Sequence, residues 1–256
     1  MTRLINLSVL FSLILITGCD TRFDDPVPEA SYGYSYYPLQ VGKYFIFRID
    51  SIQFDIQTSG IPIKDTGCFF LKEEFTNSYR DASGNEIFRV ERSRSANQEG
   101  PWIPVDVISS WRNSRQGFRT ENNLKIIPLV FPVHQGTLWD GLIFIPEGIQ
   151  VNIRGESIEF YKDWSFKVLS VDQAESIGGV EYPEIATVQH ADNENLIELR
   201  YAVEKYAKGI GLVSREYQIL DTYCKYEGDN TPCQGVPWPS KAGRGFILNQ
   251  MLVDHN

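Results

Sequence analysis

The chain has 256 residues, and its 24 Lys and Arg against 33 Asp and Glu give a formal net charge of −9. A hydrophobic content of 42% can bury a sizeable core, which excludes a disordered chain. The negative charge and the lack of a basic run argue against nucleic acid as a partner. Four Cys are too few for a fold built on disulfides.

Residues 1–18 are predicted to be a secretory signal peptide. Arg3 supplies the positive charge, and the apolar run from Leu4 to Ile16 is too short for a membrane-spanning helix. The run ends in Gly18-Cys19, which resembles the lipobox of bacterial lipoproteins. The resemblance implies that a diacylglyceryl group is attached to the Cys19 thiol. Two or three acyl chains give stable anchoring. The protein is therefore expected to be attached to the membrane through the lipid on Cys19.

Residues 19–37 are predicted to form an acidic, Tyr-rich tether. Asp20, Asp24 and Asp25 follow the lipid-bearing Cys closely. An Asp at this place resembles an inner-membrane retention signal of enteric bacteria, whereas acidic residues here resemble outer-membrane or surface export signals of Bacteroidota. The rest of the chain favours the second interpretation, an export signal to the outer membrane or surface. The expected location is therefore the cell envelope, at the outer membrane, on either its periplasmic face or the cell surface.

The remainder of the chain is predicted to be mainly β. Short β-branched and aromatic runs alternate with Gly, Pro, Asn and Asp, without a sustained helical period. This pattern favours an antiparallel sheet, as a sandwich or half-barrel with few short helices. Residues 81–85 predict a hairpin turn. The predicted strands are Lys43–Asp50, Ile52–Thr58, Cys68–Phe75, Glu86–Arg94, Trp164–Asp172, Glu184–His190, Leu212–Thr222 and Phe246–Val253.

The stretch from Leu196 to Lys208 fits two patterns. Leu196, Leu199 and Val203 would share a helix face, whereas alternation would place Leu199 and Val203 on one strand face. The Gly209-Ile210-Gly211 turn that follows favours a hairpin, so a strand is predicted.

A single β-rich domain is predicted over residues 38–256, although the Pro- and Gly-punctuated stretch at 146–148 leaves a division there open. Four segments in this order resemble uncharacterised lipoproteins of Bacteroidota, and the likeness covers nearly all of the mature chain. It implies a location and a β-rich fold, and it implies no activity. The segments are residues 37–44, residues 89–92 with Trp102 and Trp111, residues 120–141 and residues 206–213.

Two aromatic groups are candidate contacts for a ligand or partner. Tyr32, Tyr34 and Tyr36 lie at period two, so one face of a strand would present all three rings. Trp238 lies between two prolines. Exposed rings in these places would stack on a sugar or dock another chain. The alternative is that they pack against the domain.

The cysteines indicate an oxidising compartment. Cys224 and Cys233 flank a short loop that contains Gly228 and Pro232, and a disulfide between them is predicted. Cys68 lies among apolar residues and is predicted to be a buried free thiol.

The sequence contains no nucleophile elbow and no phosphate-binding loop, so no catalytic residue, cofactor or metal is expected. Three hypotheses follow. The first is a non-enzymatic, membrane-anchored envelope lipoprotein that binds another envelope protein or a glycan. The second is a carrier or chaperone for an apolar molecule, held in a β half-barrel. The third is a glycan hydrolase, which needs two carboxylates facing each other across a cleft.

Overall fold

The computed structural model describes residues 29–56, 62–153, 155–228 and 231–256. In these ranges most of the chain is β-strand, so the prediction of a mainly β protein is confirmed. The strands are β1 Tyr44–Ile56, β2 Pro62–Arg80, β3 Glu86–Ser95, β4 Ile103–Arg112, β5 Gln116–Glu121, β6 Leu124–Val130, β7 Leu138–Trp139, β8 Val151–Ile153, β9 Glu156–Ile158, β10 Phe166–Ile177, β11 Val180–Glu194, β12 Glu198–Ala207, β13 Gly211–Thr222 and β14 Ala242–His255.

Twelve of these strands form one antiparallel sheet, and β8 pairs with β9 separately. The order across the large sheet is β6-β5-β4-β3-β2-β1-β14-β13-β12-β11-β10-β7. Its two ends approach each other. The N–H of Ile127 on β6 donates to the carbonyl of Gly141 just after β7, at 2.9 Å. The indole Nε1 of Trp139 on β7 donates to the Ile127 carbonyl, at 2.8 Å. The sheet therefore curves into a nearly closed barrel rather than a sandwich.

The two strands predicted at the start of the domain form a single strand in the structure. The sequence divides 43–58 at Asp50-Ser51, but Ser51 pairs with Gly67 on one side and Leu248 on the other, so β1 is continuous. Thr58, the predicted end of the second strand, lies outside the described residues.

The prediction of a buried Cys68 is wrong. The pairing of β2 with β3 begins only at Phe70, opposite Ser95, so residues 62–69 of β2 pair with β1 and have no second neighbour in the sheet. Cys68 is a free, exposed thiol on this projecting part of the strand.

Both predicted hairpins are confirmed. Between β2 and β3, the Asp81 carboxylate accepts from the backbone N–H groups of Ser83 and Asn85, at 2.8 and 2.9 Å. The ambiguous stretch at 196–208 contains β12, which pairs with β13 across the turn at Gly209. The sequence missed six strands, β4 to β9.

The described helices are short: α1 Cys224–Glu227, α2 Trp238–Lys241 and three 3-10 turns at Glu29–Tyr32, Tyr34–Tyr36 and Thr231–Cys233. Within the described ranges none has the length or apolar character needed to cross a bilayer. These pieces cover the barrel ends, while apolar residues such as Phe47, Val168, Ile185 and Val213 fill its interior.

Candidate functional site

Two arginines and two glutamates form a charged ring inside the barrel. Glu204 on β12 is fully buried, and its Oε1 accepts from Arg119 Nη2 on β5 and Arg215 Nε on β13, each at 2.8 Å. Glu121 on β5 accepts from Arg215 Nη2 at 2.9 Å. Arg119 Nε lies 2.8 Å from the Glu121 carboxylate as an ion pair, without the alignment of a hydrogen bond. Each arginine thus contacts both glutamates.

The glutamates of the charged ring are ionised. Burial alone would raise the pKa of Glu204, but Arg119 and Arg215 hold it well below its usual range. The same two arginines lower the pKa of Glu121 against the effect of its burial. Tyr206 and Tyr217 also donate their hydroxyl groups to Glu204, the latter at 2.8 Å. Because its four charges balance, the ring is a closed structural unit that joins opposite sides of the barrel.

His190 on β11 is buried next to the charged ring without joining it. Its Nε2 lies 3.7 Å from Glu204 Oε2, too far for a hydrogen bond, and neither ring nitrogen has a partner among the described residues. Burial lowers the pKa of His190 to about 4 and outweighs the attraction of Glu204. The imidazole is therefore neutral at pH 7 and packs as a ring against Phe166, at 4.4 Å between centroids.

A small cavity lies in the barrel interior between apolar side chains and Glu73. Its volume is about 50 Å³, which holds a few water molecules. Burial raises the pKa of Glu73, despite Arg92 with a guanidinium nitrogen 3.9 Å from its carboxylate. Ligand sites typically measure about 300–1,000 Å³, so this cavity does not match the apolar carrier that the sequence left as an alternative.

A second charged cluster lies at the start of β12. Arg200 is buried; its Nη2 donates to Asp221 at 2.8 Å, and its Nε donates to the backbone carbonyl of Glu159 at 3.0 Å. Glu198 accepts from Lys162 at 2.7 Å and from Lys225 at 2.6 Å. Burial alone would raise the pKa of Glu198, but these hydrogen bonds lower it to about 2. The cluster fixes the 159–164 loop against the barrel.

An open groove runs between this loop and residues 140–149. Its volume is about 600 Å³, in the range of small-molecule and peptide sites. Leu142, Ile145 and Ile149 supply apolar walls, and Tyr161 and Trp164 supply aromatic ones. The groove's charged residues are Asp140, Glu147, Glu159, Lys162 and Asp163. The groove combines an apolar surface with a mostly acidic border, and it is the candidate functional site.

The opposite end of the barrel carries a tyrosine clip, which we define as Tyr32, Tyr34, Tyr36 and Tyr37. The hydroxyl of Tyr37 contacts Ser110 Oγ and donates to the Phe118 carbonyl, both at 2.8 Å. Burial raises the pKa of Tyr37 to about 12. Tyr36 donates to Asp172 on β10 at 2.5 Å. The clip therefore connects strands from both halves of the sheet.

The clip corrects two predictions. Tyr32, Tyr34 and Tyr36 lie in 3-10 turns rather than on one strand face, and Tyr36 is only 1% exposed, so it offers no surface for a partner. The Tyr34 ring is covered by Arg112 at 4.2 Å and by Phe131 at 4.8 Å between centroids. Tyr32, Tyr36 and Tyr37, which the sequence places in the tether, contact the barrel through Val133, Asp172 and Ser110.

The other predicted residues lie at the groove end or outside the structure. Cys224 and Cys233 are joined by a disulfide in the segment that carries Lys225. The Trp238 indole donates to Glu194 at 2.7 Å, and Lys241 Nζ lies 4.1 Å from the centroid of its ring. Trp238 is thus bound within the protein rather than presented as a free platform. Cys19 lies outside the described residues.

Fold and site together define a mainly β protein with a single curved sheet, a charged interior and an open groove at one end. Two crystal structures match the chain at low similarity. A Bacteroides fragilis protein, described as exported and with a YMCC-like fold, is 10% identical, with 86% of this chain and 97% of that chain covered and a TM-score of 0.40. A Parabacteroides distasonis protein, described as a lipoprotein, is 10% identical, with 88% and 99% covered and a TM-score of 0.37. At these sequence identities and TM-scores, neither protein is evidence for the function of this chain.

No protein-family model and no curated protein matches the chain.

Sequence reasoning missed both the charged ring and the groove. Arg119 and Glu121 are two residues apart on β5, so they lie on the same face of the strand. Charged residues in this pattern usually face solvent, yet both of these face the interior. The acidic residues of the groove lie in two loops separated along the chain. Along the sequence nothing distinguishes Asp140 and Asp163 from ordinary surface carboxylates.

Proposed function

We propose that the protein is a non-enzymatic lipoprotein of the bacterial cell envelope, anchored through Cys19 and binding a partner in the groove. The lipobox-like Gly18-Cys19 after an apolar run supports the anchor. The outer membrane is the proposed location, in line with the acidic residues that follow Cys19. The proposed partner is another envelope protein rather than a glycan.

The observation that carries the binding role is the position of the groove relative to the tyrosine clip. β12 begins at Glu198, which holds the groove wall through Lys162, and ends at Ala207, near the clip, where the N–H of Gly209 donates to the Ser35 carbonyl. Ten residues of strand separate these ends by about 30 Å. The groove is thus at the end of the barrel remote from the N-terminal segment.

The connection to the anchor is short. From Cys19 to Glu29, where the described structure begins, the chain spans at most about 35 Å at roughly 3.3–3.6 Å per residue. Because the chain leaves the barrel at the clip end, we propose that a lipid on Cys19 keeps this end nearer the bilayer than the groove. Such an arrangement suits a protein that presents a binding surface to a partner beyond its own membrane.

A non-enzymatic role is supported by where the perturbed carboxylates lie. Glu121, Glu198 and Glu204 are paired with arginine or lysine and are held ionised. Glu73 has a raised pKa, as a general acid requires, but it borders the 50 Å³ cavity, which is too small for a sugar chain. These positions favour structural roles over glycan hydrolysis.

Fractionation of cells tests the anchor. We expect Cys19→Ala to move the protein from the membrane fraction to the soluble fraction, because no acyl chain is added. Cys68→Ala is the matched control, since it removes a thiol without touching the anchor, and it stays in the membrane. Retention of Cys19→Ala in the membrane fraction would refute lipid anchoring. External protease added to whole cells then distinguishes the cell surface from the periplasmic face.

A further inference from the structure

The groove carries negative charge that the protein does not neutralise. It contains four carboxylates, on Asp140, Glu147, Glu159 and Asp163, against one amine, on Lys162. Lys162 Nζ lies 2.7 Å from the buried Glu198 carboxylate and 3.9 Å from that of Glu159, so its positive charge is already paired with these two residues.

The remaining three carboxylates have only neutral partners. The Asp140 carboxylate accepts from the backbone N–H of Leu142 at 2.9 Å, and the Asp163 carboxylate accepts from the Asn193 amide at 3.0 Å. Glu147 is exposed and has no ion-pair partner within 4 Å in the described ranges. About three negative charges therefore border one groove, where they attract a cation more strongly than scattered surface charges do.

The walls of the groove indicate two further properties of a ligand that would fit it. Leu142, Ile145 and Ile149 favour a ligand with apolar parts. Trp164 also lines the groove, and its indole Nε1 is buried without an acceptor among the described residues. A water, or a peptide carbonyl that reaches this part of the wall, would satisfy the buried donor.

We infer that the groove binds a basic peptide segment of a partner protein, with Lys or Arg side chains at the acidic border and apolar side chains on the walls. This inference rests on the binding role proposed above. Amine or guanidinium groups match the carboxylates, and backbone carbonyls supply acceptors. A volume of about 600 Å³ accommodates a few side chains.

Other occupants fit less well. The chain between Cys19 and Glu29 has Asp20, Asp24 and Asp25 against one Arg, so the groove would repel it. A second copy brings a net charge of −9. A glycan would need free ring faces, yet Trp164 packs against Phe160, Tyr161, Phe166, His190 and Tyr217, with ring centroids 5.0–5.9 Å away.

The test measures binding of a decapeptide of alternating Lys and Leu to the full lipidated protein in phosphatidylcholine nanodiscs. A Glu and Leu peptide of the same length is the charge control, and chitohexaose is the glycan probe. We expect binding of the Lys peptide alone, weakened at least tenfold in Glu147→Gln/Asp163→Asn and weakened by added salt. Asn suits position 163, where φ is +57°, and both positions are exposed, so the fold is kept.

The matched control is Glu99→Gln/Glu181→Gln, which removes the same charge from exposed sites outside the groove. We expect it to bind the Lys peptide as the natural protein does. Equal binding by both double variants, equal binding of the Glu peptide, preferential binding of chitohexaose, or self-association in place of peptide binding would each overturn the inference. Since nanodisc capture reports anchoring separately, loss of peptide binding is distinguishable from failure of the anchor.

Discussion

Arg119 on β5 and Glu204 on β12 meet inside the barrel at 2.8 Å, although six strands lie between their strands in the order of the sheet. Only a strongly curved sheet brings these side chains together. The pair is fully desolvated, because the side chains are 8% and 0% exposed. The charged ring around it therefore links the two halves of the sheet at the cost of burying four charges.

Replacing Glu204 by Gln tests how far the fold depends on this ring. The variant keeps the size of the side chain but leaves Arg119 and Arg215 without their shared carboxylate. Breaking a buried pair in this way typically costs about 3–5 kcal/mol, so we expect a loss of that order in the free energy of unfolding. Urea denaturation followed by tryptophan fluorescence measures it.

The matched control is Glu184→Gln. Glu184 pairs with Lys208 at 2.5 Å, but the side chains are 43% and 36% exposed. Exposed pairs contribute about 0–1 kcal/mol, so the control should unfold almost as the natural protein does. Equal losses in the two variants would show that burial of the ring adds nothing to stability.

His190 predicts a stability that rises with pH. The pKa of His190 is about 4 in the folded state against the ordinary value of 6.5, so between these limits the unfolded chain binds a proton that the folded protein does not. Stability therefore falls as the pH drops from 6.5 toward 4, and the loss between pH 7 and pH 5 is about 2 kcal/mol.

His190→Phe should remove this dependence. The imidazole nitrogens have no hydrogen bonds among the described residues and the ring stacks on Phe166, so a phenyl ring loses no polar partner. Urea unfolding at pH 5, 6 and 7 measures how the free energy of unfolding changes with pH in both proteins. If the variant has the same slope as the natural chain between pH 5 and 7, another group is responsible.

Gly245 on β14 is predicted to tolerate no side chain. Its φ is +105°, and an added Cβ would lie 1.9 Å from the Ile219 carbonyl oxygen, inside van der Waals contact. Gly179 has a similar φ of +85° with open space around its Cα. We expect Gly179→Ala to cost about 1–2 kcal/mol and Gly245→Ala clearly more. Thermal unfolding of both variants compares them, and equal shifts would contradict the contact.

The disulfide is predicted to stabilise the groove end of the barrel. Cys224 and Cys233 are nine residues apart, and closing so short a loop contributes about 2–3 kcal/mol in the chain-entropy model. The Cys224→Ala/Cys233→Ala variant should lose that amount on unfolding. A thiol count on the unreduced, unfolded mature protein should give one, from Cys68; two or more would contradict the bridge.

The sequence predicted those parts of the fold that depend on local chemistry. The turn at 81–85 follows from an Asp carboxylate that binds nearby backbone N–H groups, and the choice of strand for β12 follows from the glycine turn behind it. The burial of Tyr36 could not be predicted, since it depends on Asp172, which lies 136 residues away in the chain.

The candidate site was beyond sequence reasoning for a similar reason. The groove exists because Arg200 on β12 holds the backbone of Glu159 and Lys162 reaches Glu198, contacts that only the folded sheet creates. Read along the chain, Asp140, Glu147 and Asp163 look like ordinary surface residues. Their common border becomes visible only when the two loops face each other.

The orientation at the membrane is the central claim, and depth-dependent fluorescence quenching tests it most directly. A fluorophore is attached at Val180→Cys, beside the hairpin turn at the clip end, or at Glu147→Cys in the groove, each in a Cys68→Ser background. The protein is anchored in vesicles that carry a quencher on the lipid headgroups. We predict strong quenching at position 180 and weak quenching at position 147. Equal quenching, or stronger quenching at 147, would contradict a groove that faces away from the bilayer.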